Sequence, residues 1–62
     1  MRTFSCFIKD DRYTVPSLAF VLVQDEARAR ELARRQLLES GHHLEVEVVE
    51  NGRSLFRLTR YG

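Results

Sequence analysis

Apolar and polar positions alternate over residues 3–9, where Phe4, Cys6 and Ile8 interleave with Thr3, Ser5, Phe7 and Lys9. A period of two is the mark of a strand with one face toward a core. Asp10, Asp11 and Arg12 interrupt it as a polar turn. Residues 13–23 are β-rich again, with Leu18, Phe20 and Leu22 on one face and Ala19, Val21 and Val23 on the other. Pro16 cannot donate to a sheet ladder, which puts this second strand after Pro16 and at a sheet edge.

The period then changes. Asp25 is a good helix N-cap, Glu26 suits the first turn, and Gly41 after Ser40 is a stop signal, which predicts a helix over 26–40. Ala29, Leu32, Ala33, Gln36 and Leu37 fall on one side of it at 3.6-residue spacing, and Glu31 with Arg35 supplies an i,i+4 ion pair. Leu38 falls on the opposite side.

The remaining residues form two alternating segments joined by Glu50-Asn51-Gly52. A two-residue Asn51-Gly52 turn pairs Val46 with Arg57 and mixes charge into the apolar face. A three-residue loop with Gly52 in a left-handed bulge instead pairs Val46 with Phe56, Leu44 with Leu58, Glu45 with Arg57 and His43 with Thr59. The second register is the expected one, because it keeps each face uniform.

Together these elements predict one domain over residues 1–62, an α+β fold of ββαββ order with a four-stranded antiparallel sheet and one helix packed on one face. A helix of about 15 residues spans roughly 22 Å and returns the chain along the sheet. Strand order 2-1-3-4 then makes every neighbouring pair antiparallel and leaves the Pro16 strand at an edge. Order 1-2-3-4, through a right-handed crossover, is the competitor.

Composition narrows the function more than it identifies one. A domain this small buries only about 60% of the surface its unfolded chain exposes, and the single cysteine, Cys6, excludes an internal disulfide or a multi-thiolate zinc site. Self-association is the ordinary staple that remains. The longest apolar run, Leu18 to Val23, is too short to span a bilayer, and no signal pattern opens the chain. A cytoplasmic protein without membrane attachment is expected. Ten basic residues oppose nine acidic ones, a net charge of +1 that gives little long-range steering. Nine of the basic residues are Arg, suited to planar ion pairing.

Candidate chemistry is sparse. His42 and His43 are adjacent and point to opposite faces of a strand; His43, Glu45 and Glu47 share a face but are spaced about 6–7 Å apart, too far for easy joint ligation. Cys6 alternates with Phe4 and Ile8 and reads as a core residue. The serines lack the setting of an activated nucleophile. No enzyme, metal site or cofactor is expected. Arg28, Arg30, Arg34 and Arg35 make the outer helix face basic, a surface that could track phosphates, though Glu31 and Glu39 interrupt it.

With Phe4, Cys6, Ile8, Leu18, Phe20, Leu22, Leu44, Val46, Phe56 and Leu58 under the helix, the other face of the sheet carries Phe7, Ala19, Val21, Val23, Val49 and Leu55. A one-sided antiparallel sheet ordinarily alternates apolar with polar, and a contiguous apolar patch marks an interaction site. The expectation is a homodimer joined through this face; the alternative is that these residues are scattered and tolerated in water. A site completed only between two chains is a further possibility.

The run Ala29-Arg30-Glu31-Leu32-Ala33-Arg34-Arg35, then Leu37-Leu38, Gly41-His42, Val46-Glu47-Val48 and Asn51-Gly52-Arg53, resembles a group of small alphaproteobacterial proteins. Those proteins read as two strands, an alanine-rich helix and a terminal hairpin. The resemblance covers most of the chain and implies a fold and no particular activity. This chain departs from the pattern in lacking a hairpin Trp, in a more basic helix and in a more apolar second strand.

Overall fold

The structure, a computed structural model, describes residues 1–60. Strands β1 (Arg2–Asp10) and β2 (Ser17–Val23) lead into helix α1 (Glu26–Leu38), and β3 (His43–Glu50) and β4 (Arg53–Thr59) follow. The four strands form one antiparallel sheet in the order β2-β1-β3-β4, with the helix on one face. The fold is α+β, and the strand that follows Pro16 is an edge.

Asp25 caps α1 in extended conformation, its carboxylate accepting from the Arg28 amide at 2.8 Å. The helix turns Ala29, Ala33 and Leu37 onto Phe4, Cys6, Val46 and Val48, which together with Ile8 and Val23 make the core. Two alanines at the contact let the helix lie close to the sheet, chiefly over β3.

The helix ends two residues before the expected Ser40, and Gly41 does not end it. Only Gly52 among the described glycines has a positive φ. Two open carbonyls of the last turn, which any helix must satisfy, and that of Ser40 just beyond it are met by side chains, while the Glu39 amide also donates to Gln36 O. Arg60 donates to Leu37 O at 2.7 Å and Ser40 O at 2.6 Å, and His43 Nδ1 lies 2.6 Å from Gln36 O.

Two irregularities set the faces of β3 and β4. Lys9 faces Glu45 but Asp10 faces His43, so Leu44 is an extra residue that turns His43 toward the helix. His43 therefore does not share a face with Glu45 and Glu47. Leu44 itself is half-buried and lies outside the core cluster.

The hairpin differs from its expected register. Glu50 pairs with Arg53 around a two-residue turn whose Asn51 and Gly52 have φ of 53° and 74°. Beyond Val49 and Ser54, a bulge at Leu55 shifts the ladder, giving Val48 opposite Phe56, Val46 opposite Leu58, Glu47 opposite Arg57 and Glu45 opposite Thr59. The bulge achieves by one inserted residue what the three-residue loop was expected to do: it keeps apolar side chains on one face.

Candidate interaction surface

The face of β2 is set by its ladder with β1, which runs unbroken from Arg2 opposite Val23 to Ile8 opposite Ser17. Phe4 pairs with Val21 and Cys6 with Ala19. Directly paired residues project from the same side of a sheet, so Ala19, Val21 and Val23 turn toward the helix. Val23 is buried in the core, and Ala19, Val21 and Leu55 pack against it.

These four residues therefore do not belong to the open face, and Leu18, Phe20 and Leu22 do not lie under the helix. They are 50%, 65% and 62% exposed on the open side. Of the residues expected there, Phe7 and Val49 remain, both half-buried. Rows across the open face read Phe20, Ser5, Val49, Ser54 and then Leu18, Phe7, Glu47, Arg57. The apolar character is thus concentrated on the β2 side.

The other half of the face is charged and neutralises itself. Arg57 reaches Glu45 at 3.6 Å through Nε and Glu47 at 3.5 Å through Nη2. A hydrogen bond from Ser54, with Arg57 alongside, holds the Glu47 carboxyl below the usual range. Between the halves, Tyr13 and Val15 of the β1–β2 loop line a recess of about 330 Å³ together with Phe7 and Lys9.

The two sheet edges differ in the same sense. β4 carries Arg53 and Arg57 and a bulge, devices that discourage strand addition. β2 has none of them. No charged residue occurs from Val15 to Gln24, Pro16 stands before the strand rather than in it, and the ladder has no bulge.

The helix arginines are not one uniform patch. Arg28 and Arg35 both pair with Glu31, at 2.8 and 3.5 Å. Arg30 lies over the Phe56 ring, 4.2 Å from its centroid. Arg30 and Arg34 instead line a groove of about 390 Å³ with Arg57, Leu58 and Thr59 of β4. Elsewhere Arg2 grips Glu50 through two bonds of 2.8 and 2.6 Å, and Arg60 is committed to carbonyls.

At the far end of β1, the buried Asp10 accepts from the Arg12 amide and from two guanidinium nitrogens at 2.8–3.0 Å. Those bonds hold its carboxyl well below the usual carboxylate range. His43 Nε2 is 3.7 Å away, and His42 Nδ1 lies 2.8 Å from Asp11. Each polar group in this cluster has a structural partner, and among the described residues no His, Cys, Asp and Glu grouping could hold a metal. Cys6 is fully buried, and burial pushes its thiol pKa up, away from nucleophilic reactivity. No helix among the described residues is long and apolar enough to cross a membrane.

Comparison with protein-family models, with curated proteins and with solved structures finds no match. What this chain's surface does must therefore be argued from its own geometry.

The residues that sequence reasoning placed wrongly, Leu18, Phe20 and Leu22, carried a signal in their order. Large side chains occupy 18, 20 and 22 and smaller ones 19, 21 and 23. Beneath a helix that already meets the sheet through alanines, the smaller set fits.

Proposed function

We propose that this protein is a small non-catalytic interaction module that self-associates through the apolar stripe of β2. One observation carries the reading: the strand sends its smaller side chains toward the core and leaves Leu18, Phe20 and Leu22 at least half exposed. Fully burying a Leu or Phe side chain is worth roughly 1.5–3 kcal/mol, so a chain this short forgoes much of its available burial. Exposed apolar side chains in a contiguous row, on a strand without protecting charge, favour an occupant of the same character. A second copy meets that description, and the net charge of +1 raises no barrier to it.

The test is one substitution read by light scattering. Phe20→Lys is expected to give a folded monomer where the native chain is a dimer. An unchanged dimer in Phe20→Lys would remove the stripe from the interface.

A second reading, binding of nucleic-acid phosphates, is favoured by the groove that Arg30 and Arg34 line, with Arg57, itself paired with Glu45 and Glu47, on its β4 side. Arg28 and Arg35, both paired with Glu31, contribute less to it. Arg30→Glu with Arg34→Glu is expected to abolish salt-dependent binding of a labelled oligonucleotide, measured by fluorescence anisotropy. Binding unaffected by that double change would end this reading.

A further inference from the structure

The order of side chains along β2 is self-complementary. Read about Phe20, the central five residues of the strand, Leu18-Ala19-Phe20-Val21-Leu22, match their own reverse in character: Leu18 corresponds to Leu22 and Ala19 to Val21, while only the outermost pair, Ser17 with Val23, differs. An antiparallel pair of β2 strands on a two-fold axis through Phe20 therefore sets Phe20 beside its counterpart, each Leu18 beside a Leu22, and each Ala19 beside a Val21. Every such pair is apolar, and both faces keep their assignment. A two-fold interface requires this kind of match, in which one patch serves on both subunits.

We infer that two copies join edge to edge through β2, forming one continuous eight-stranded antiparallel sheet with both helices on the same side. The inference rests on the self-association reading above and names how the copies meet. Three observations select edge pairing over stacking of the open faces. The outer edge of β2 presents unpaired backbone groups without charge, bulge or internal proline, whereas β4 is guarded by Arg53, Arg57 and the Leu55 bulge.

The second is charge placement. Glu45, Glu47 and Arg57 occupy the β3–β4 half of the open face, and full face-to-face stacking would cover their ion pairs. Edge pairing leaves them in water at the flanks. It brings the Leu18, Phe20 and Leu22 rows of two chains together at the centre of the sheet.

The third lies on the helix side. Ala19 and Val21 are half-buried there, packed against the core but not closed over by it. In the edge-paired dimer each meets the other's counterpart, and the two cores become continuous across the axis.

The experiment is disulfide trapping combined with sedimentation. Across an antiparallel pair, opposed Cα atoms lie about 4.5–5.5 Å apart, within disulfide reach. Leu18 and its own counterpart would be about 13 Å apart along the strands. Phe20→Cys is thus expected to cross-link on mild oxidation, Leu18→Cys and Leu22→Cys singly are not, and an equimolar mixture of those two is. The buried Cys6 of the native chain serves as the unlinked control.

Because Phe20→Cys removes part of the interface, the native chain supplies the second measurement. In a mixture of isotope-labelled and unlabelled protein, inter-chain Hα–Hα contacts are expected only between residues of β2 whose numbers sum to 40. Self-linking by Leu18→Cys, or inter-chain contacts in another register, would overturn the edge-paired arrangement while leaving self-association intact. A native chain that sediments as a monomer throughout would overturn both.

Discussion

Val21 stands directly opposite Phe4 in the β1–β2 ladder, and Phe20, one residue away, consequently points into water. Adjacent strand residues project to opposite faces, so two neighbours of similar hydrophobicity have opposite consequences when charged. Val21→Lys places an ammonium against the core and is expected to cost roughly 2–4 kcal/mol of stability. Phe20→Lys, measured at a dilution where the native chain is monomeric, is expected to fall within about 1 kcal/mol of it. Urea denaturation of the two variants checks the assignment, and equal losses would contradict it.

Arg60 ties the end of β4 to the end of α1. Its guanidinium donates to the carbonyls of Leu37, Ser40 and His43 at 2.6–3.1 Å. Hydrogen bonds from a charged donor contribute about 1.5–3 kcal/mol. Arg60→Ala is expected to lower stability by roughly that amount and to speed amide exchange in the last helical turn before the sheet is affected. Protection unchanged in that turn would show that the helix end does not depend on the arginine.

Acid should weaken the fold through Asp10. Its folded pKa lies below the ordinary Asp value because Arg12 donates to both carboxylate oxygens, so the unfolded chain takes up protons first as pH falls. The stabilisation is complete above about pH 5 and declines as pH drops through about 3.9 and below, toward the depressed folded value. Glu47 and Glu50, whose pKa values are also lowered, add to the same slope. Asp10→Asn is therefore expected to be less stable than the native chain at neutral pH, with the difference narrowing as pH falls toward 2. A difference constant across that range would contradict the assignment.

Much of the fold was legible because the periods were clean. The alternation of Phe4, Cys6 and Ile8, the Asp25 cap and the 3.6-residue spacing of Ala29, Ala33 and Leu37 each carried one reading, and Pro16 marked the edge. The faces of β2 were not legible from alternation. Both of its faces are apolar, so pattern could not choose between them, and the ladder to β1 decided the register. The same limit applied to His43, turned toward the helix by the extra residue Leu44, and to β4, where the Leu55 bulge reset the ladder. The helix stop was read from Gly41, whereas the carbonyls were taken by Arg60, a residue distant in sequence that no local signal connects to them.

The candidate site depended on the part that was illegible. An apolar open face was readable in outline, and Phe7 and Val49 lie on it, but its largest members were assigned to the core. The basic face was read as four helix arginines, whereas Glu31 neutralises two of them and β4 contributes Arg57 to the groove beside the others.

The most direct test of self-association through β2 is sedimentation of the unaltered chain from low micromolar to submillimolar concentration, at low and at high salt. An apolar, uncharged edge predicts a monomer–dimer equilibrium that salt does not weaken. A chain that stays monomeric over the whole range, or a dimer that dissociates when salt is raised, would contradict it.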